Sequence, residues 1–390
     1  MRRSQDRILV SHAGTLPRPE ALWDLRGGAE EQAAKLEELL PAAVKEVVAR
    51  QAEIGIDIVN DGEIPKRGSF LSYMRTRITG FEARPELAKL HRDAGVTGRD
   101  RRDFPGFYAA GLGMFNPGRR PANPTNPLDN GPFAVTGKLT YIGQDQVEKD
   151  IARLLEACEG LDVEPYLPAT APGSIEHWLH RGDLYGNDED FLEAIADAMA
   201  PEYQAITAAG IVLQIDDPDL PDGWQMFPDM TVEEYRKYAA LRVEALNYAL
   251  RDVPEELIRF HVCWGSQHGP HRDDIPLADI VDLVLSVKAQ CYSIEASNPR
   301  HEHEWKVWRD VKLPEGKLLM PGVVGHSSDL IEHPELVAER LQRYAEVVGR
   351  ENVIAGTDCG LGSRVHEEIA WAKLEDLAKG ARLASAELWK

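Results

Sequence analysis

Eight short runs of β-forming residues recur along the 390-residue chain, separated by longer stretches of helical period. They lie at 7–11, 56–60, 163–167, 211–215, 257–263, 291–295, 317–324 and 353–358. Strands that alternate with helices build a parallel sheet, because each parallel connection must cross back over the sheet as a helix. Eight such units point to a closed barrel rather than an open sheet. The expected fold class is therefore α/β, a (β/α)8 TIM barrel formed as a single catalytic domain over residues 1–390. A barrel of this kind needs about 250 residues, which leaves room for insertions.

The intervening stretches support this reading. Residues 30–54 carry Ala33, Leu36, Leu39, Leu40, Ala43, Val47 and Val48 near 3.6 spacing. Residues 232–250 follow Thr231, with Glu234 three positions on, which spells a capping box. The stretch 333–348 has Pro334 in its first turn, and 281–288 fits between two strands. Residues 64–134 break the repeat. Their Pro, Gly and Asn density, as in Phe104-Pro-Gly-Phe-Tyr108 and 116–127, predicts a loop insertion or lid after the second strand. Residues 132–141 then read as an extra hairpin strand.

The formal charge of -21 argues against nucleic acid as a partner, since phosphate backbones call for clustered Lys and Arg. No run approaches the ~20 apolar residues of a membrane span. The basic residues Arg2, Arg3 and Arg7 lead into an apolar stretch shorter than a secretory signal requires. Four cysteines, at 158, 263, 291 and 359, are too few for a disulfide framework and point to a reducing, cytoplasmic setting. Cys158 sits in a helical pattern and Cys291 begins a strand, so both read as core.

Barrel active sites lie at the C-terminal ends of the strands. There the chain places His12, Asn60, Asp61, Glu63, Thr170, Asp216, Asp217, His261, Cys263, Glu295, His326, Asp358 and Cys359. Period two puts His261 and Cys263 on one face of their strand. With Cys359 and Glu295 they offer the imidazole, thiolate and carboxylate that bind Zn²⁺. The spacings of 32 and 64 residues, 263 to 295 and 295 to 359, match one and two βα units. The plainer alternative is a core His and Cys, with Glu295 a solvated strand end. His301 and His303 form a rival pair, but at i and i+2 they diverge on a helix. His268 and His271 read as loop residues. Asp216 and Asp217 suit an amine or cation, or else a helix cap. Zinc there would deliver a substrate thiol as thiolate, and a histidine such as His326 would manage a proton on the leaving group.

Seven segments together resemble the cobalamin-independent methionine synthases, in their short single-barrel branch, and the related epoxyalkane:coenzyme M transferases. They are Ser11-His-Ala-Gly-Thr-Leu-Pro-Arg-Pro, Asn60-Asp-Gly-Glu63, Gln214-Ile-Asp-Asp-Pro218, His261-Val-Cys-Trp-Gly, Tyr292-Ser-Ile-Glu-Ala, Pro321-Gly-Val-Val-Gly-His-Ser and Gly356-Thr-Asp-Cys-Gly-Leu-Gly. The resemblance implies a barrel of the methionine-synthase and uroporphyrinogen-decarboxylase type. It implies Zn²⁺ on His261, Cys263 and Cys359, with Glu295 as a fourth ligand that thiol displaces. It places His12, Thr15, Glu63 and Asp216 in substrate binding, and His326 with Asp216 in catalysis.

The implied activity is zinc-dependent alkyl transfer to a thiol, most simply a methyl group to homocysteine. Opening of an epoxide by a zinc-bound thiolate is the alternative, and a non-catalytic zinc-binding barrel is a third. A decarboxylase role would need more arginines than Arg18 and Arg364. The expected partners are a small-molecule thiol and an alkyl donor, with no nucleic acid and no membrane; a homo-oligomer is left open. Two departures bear on the donor and acceptor: Gly325 stands where short members often have Asp, and Thr15 where homocysteine enzymes have Ser. A single barrel also leaves open the use of a polyglutamylated methylfolate.

Overall fold

The computed structural model describes residues 1–390 except 23–24, 26–29, 67–69, 90–97, 111–131, 266–267 and 363. All eight expected runs form parallel strands. They are β1 (Leu9–Val10), β2 (Ile58–Val59), β5 (Glu164–Thr170), β7 (Val212–Asp216), β8 (Ile258–Val262), β9 (Cys291–Ile294), β10 (Leu318–Val324) and β11 (Ile354–Thr357). The order β2-β5-β7-β8-β9-β10-β11-β1 makes a nearly closed barrel. The seam is bridged by Asp57, whose N–H donates to the Val10 carbonyl at 2.9 Å while its carboxylate accepts from the Val10 N–H at 2.8 Å.

Side chains from facing staves meet inside. Leu9, Ile58, Tyr166, Val212, Cys291, Leu318, Met320 and Ile354 form one buried cluster drawn from seven strands, which only the barrel interior allows. Cys291 is core, as expected, and burial pushes its thiol up to about 12. The larger apolar cluster lies between the strands and the surrounding helices. Above the inner floor sits a fully buried cation. Arg259 donates to Gln214 Oε1 at 2.6 Å, Ser11 Oγ at 2.8 Å and the His12 carbonyl at 3.2 Å, with its guanidinium over the Tyr166 ring.

The expected helices are present as Glu30–Ile54, Val232–Ala249, Val281–Ser286 and Pro334–Val348. Thr231 and Glu234 make the capping box reciprocally. No helix among the described residues is long and apolar enough to cross a membrane.

The insertion is more ordered than its composition suggests. A helix at Phe70–Arg77 leads to β3 (Ile78–Ala83), and β4 (Phe133–Tyr141) pairs antiparallel with it. β4 is the expected extra strand, and β6 (Leu179–His180) adds in parallel to give a separate three-stranded sheet. The segment at Phe104 is helical over Pro105–Ala109 rather than a loop, since Pro at the first helical position costs no hydrogen bond. Residues 116–127 fall outside the described part.

A buried polar knot ties this sheet to the barrel. Glu202 accepts from the Tyr73 hydroxyl, from Tyr141 at 2.6 Å and from Arg77, whose Nη2 also pairs with Asp150 at 3.1 Å. Removing one partner of a buried pair strands the other charge. Arg77→Met is therefore expected to lower the unfolding free energy by about 3–5 kcal/mol, read as an earlier urea midpoint at unchanged slope.

Candidate active site

β8 turns His261 and Cys263 to the same side, and Cys359 follows β11 two residues after Thr357. The ligand atoms of these three residues all lie within 4.8 Å of one another. Cys263 Sγ and Cys359 Sγ stand 3.7 Å apart, and neither cysteine is in a disulfide. Two sulfurs on one tetrahedral Zn²⁺, each at about 2.3 Å, would be about 3.8 Å apart. His261 Nδ1 meets Ser293 Oγ at 2.9 Å, which leaves Nε2 for a ligand role. That Nε2 is buried without a hydrogen-bond partner, which a native interior rarely tolerates. The donor set, the sulfur spacing and the orphaned nitrogen all fit a zinc-type ion.

The electrostatics agree. The Cys263 thiol, then the nearby His261 imidazole, hold the Cys359 thiol well below the usual range. The same contact, with burial, pushes Cys263 well up. Burial disfavours a charged His261, but Cys359 and Asp216 outweigh it and raise its pKa. A pair of thiols sharing one proton beside an imidazole is what a cation would replace.

Glu295 belongs to a second buried group, with His326 and Asp358, whose ligand atoms also lie within 4.8 Å. Glu295 Oε2 accepts from the Trp264 N–H at 2.9 Å and Oε1 from Asn298 at 2.5 Å. Asp358 is a brace: its carboxylate accepts from the N–H groups of Ala296 and Ser297 and from Ser297 Oγ. Burial and Glu295 push its pKa to about 8. Burial lowers the pKa of His326, whose Nδ1 is buried without a partner.

Gly325, the departure next to His326, has a physical counterpart. A Cβ there would come within 3.4 Å of Glu332 Oε1, which instead accepts the Gly325 N–H at 2.8 Å. Glu332 is held in turn by the buried Lys373 at 2.8 Å.

The β1 and β2 ends form the other half. Thr15 Oγ1 donates to Glu63 Oε1 at 2.8 Å. Glu63 takes a φ of 55°, unusual for a side chain of its kind. Asn60 and Asp61 hold that turn by accepting the N–H groups of Gly62 and Glu63, each at 2.8 Å. Such strain persists where surrounding contacts over-determine it, commonly at functional sites. Asp216 accepts from Gln214 at 2.6 Å and sits opposite His261 in the β7–β8 register. Burial lifts its carboxyl to about 7.

Asp217 turns away and accepts from Ser174 at 3.0 Å. His12 lies beneath, with Nε2 on Gln51 at 2.8 Å and Nδ1 accepting the Gly14 N–H at 3.3 Å. Both ring nitrogens are thus committed within the protein. His301 is buried between Asp274 and Glu304 whereas His303 is exposed, so they make no common metal pair. His271 bonds Asp274, and His268 is exposed.

Sequence reasoning passed over Ser293, Gln214, Arg259 and Lys66. Ser293 lies two residues before Glu295 on the same strand face, a signal that period two could have supplied. Lys66 stands 3.2 Å from Glu63 Oε2, and nothing in its local sequence marks it.

Polar and sulfur side chains gathered at the C-terminal mouth of a parallel barrel define an enzyme-type site. The chain belongs to the cobalamin-independent synthase family, whose catalytic-domain model matches residues 174–382. A methionine synthase of Sulfolobus acidocaldarius is 26% identical over 97% of this chain and 92% of its own length. A 2-hydroxypropyl-CoM lyase of Xanthobacter autotrophicus is likewise 26% identical, covering 98% and 96%. Among solved structures, a B12-independent methionine synthase from Shewanella sp. W3-18-1, in complex with selenomethionine, superposes with a TM-score of 0.70. It is 20% identical and covers 98% of this chain and 99% of its own. The family resemblance and the barrel are thus both borne out.

His12 yields a pH prediction. Burial lowers its pKa from 6.5 to about 4, so the unfolded chain binds the proton first as pH falls. Its contribution to stability is then lost between pH 6.5 and about 4, at roughly 1.4 kcal/mol per unit. Unfolding free energies of His12→Gln and the parent, measured across that window, are expected to converge as pH drops.

Proposed function

We propose that the protein is a thiol alkyltransferase dependent on a zinc-type ion, transferring a methyl group to a short thiol such as homocysteine. The observation that carries this is the trio His261, Cys263 and Cys359, with sulfurs 3.7 Å apart and a buried imidazole nitrogen left without a partner. When bound, such an ion lowers the pKa of a coordinated thiol and supplies a thiolate near neutral pH.

The chain's own residues do the rest. Ser293 fixes the ring of His261. Glu295, whose carboxylate Trp264 and Asn298 hold in place, would offer the ion a fourth, oxygen ligand. Thr15, Glu63 and Asp216 bind the head of the acceptor, while His12 supports the Gly14 turn from below. His326, kept neutral by burial, handles the proton on the donor's leaving group, with Asp216 as the second titrating group of the mouth. The segment 64–134 acts as a lid. Supporting that, Arg99 donates to the carbonyls of Trp224, Phe227 and Met230, in the segment that follows β7, and Asp100 accepts from the Asp273 N–H, in the segment that follows β8.

A second reading is favoured by the near full-length match to 2-hydroxypropyl-CoM lyase. There the thiol gives its proton to the neutral His326, the thiolate attacks a ring carbon of an epoxide, the C–O bond breaks, and the alkoxide takes that proton back from His326.

Cys359→Ser is expected to lose the metal and turnover while its circular dichroism stays native. A variant that retains stoichiometric metal and full turnover would remove the proposal. Ser293→Ala is expected to weaken metal affinity by about 10–100-fold in a chelator competition, as loss of a support behind a ligating histidine does.

A further inference from the structure

His301 makes no metal pair with His303, but it grips both supports of Glu295. Its ring stacks on the Trp264 indole, with centroids 3.9 Å apart and planes 24° apart. Its backbone N–H lies 3.2 Å from Asn298 Oδ1, which also accepts from the Arg300 N–H at 2.8 Å. The Trp264 N–H and Asn298 Nδ2 are the two donors to Glu295, one on each carboxylate oxygen. Trp264 directly follows Cys263, so its N–H sets the Glu295 carboxylate beside that sulfur.

The His301 ring is itself clamped. Nδ1 meets Glu304 Oε2 at 2.8 Å and Nε2 meets Asp274 Oδ2 at 3.0 Å. Burial disfavours a charged ring, but Asp274 and then Glu304 outweigh it and push its pKa up to about 9. Both nitrogens therefore donate, and a cation over the indole face strengthens the stack. The clamp is anchored outside the β9 segment as well. Asp274 accepts from Gln225 Nε2 at 3.1 Å, Glu304 accepts the Leu277 N–H at 2.8 Å, and Trp264 Nε1 donates to the Ile275 carbonyl at 2.8 Å. Trp264, Asp274, His301 and Glu304 are all buried. A buried network with its members paired holds one geometry, and groups behind a metal ligand tune how well it binds.

We infer that His301 is a positioning residue for the metal centre. It fixes the two donors to Glu295 and so holds that carboxylate where the ion of the trio can take it as an oxygen ligand. This rests on the metal reading of the trio given above and deepens it. A carboxylate held there competes with an incoming thiol for the ion. Loosening it lowers metal affinity and raises thiol affinity, whereas general damage to the site lowers both.

The test uses the full chain loaded with Co²⁺. Metal affinity is read by chelator competition. Thiol affinity is read from the thiolate-to-metal absorption added on titration with homocysteine and with 2-mercaptoethanesulfonate. His301→Asn is expected to weaken metal binding by about 10–100-fold, as loss of a support behind a ligand does. It is expected to tighten thiol binding by about fivefold or more, the low end of couplings between two ligands. Glu304→Gln removes one carboxylate from the ring; it should move both readouts the same way by less, and it decides the matter if His301→Asn does not fold. In a Glu295→Ala background, His301→Asn should change neither affinity further. An equal loss in that background, an unchanged metal affinity, or metal and thiol affinities that fall together would overturn the role of His301 and leave the trio's metal reading intact. A parent chain that takes up no Co²⁺ would remove the metal reading and this inference with it. A parent that takes up Co²⁺ but gains no absorption with either thiol would remove the thiol-transfer reading alone, and the chelator measurements on the single and double variants would still decide His301.

Discussion

Closing a parallel sheet on itself tilts its staves, and that tilt decides which side chains share a level inside the barrel. Everything at the mouth depends on this. His261 comes from β8 and Cys263 directly follows it, Ser293 comes from β9, Cys359 lies just past β11, and helical connections separate these segments along the chain. Their convergence rests on a packed floor of apolar side chains from seven strands. A loose floor would let the staves shift, and a sulfur pair 3.7 Å apart has little tolerance for that.

Between floor and mouth lies one polar layer. Arg259 links β8 to Gln214 on β7 and to Ser11 and His12 beyond β1, and Gln214 passes the linkage up to Asp216 and across to the Ala13 carbonyl. Buried polar groups of this sort are stable only when every member is satisfied, and these are. The layer fixes the height and facing of Asp216 against His261. The mouth thereby divides into two halves of different chemistry: a soft half of thiols and imidazole, and a hard half of carboxylates with one ammonium.

Much of this was readable beforehand, for identifiable reasons. Strands have period two, so His261 and Cys263 had to share a face wherever β8 lay. Strand ends in a parallel barrel gather at one rim, so Cys359 and Glu295 could be assigned to the same region before any distance was known. The capping box at Thr231 is local chemistry, complete within four residues, and it formed as written. Pro105 was harder, because proline opens a short helix as readily as it breaks one.

What the sequence determined was the alternation of strand and helix and the identity of the residues at each strand end, since both follow from periods of two and 3.6 that act within a few residues. The tertiary structure alone decided the partnerships. Glu295 groups with His326 and Asp358, His12 turns both nitrogens inward, the space beside Gly325 is taken by Glu332, and Lys66 reaches Glu63. Each of these is a contact set by the direction in which a side chain leaves its stave or loop and by what stands across the barrel. Hydrogen bonds and close ion pairs form only between groups a few ångströms apart in space, so no spacing along the chain encodes them.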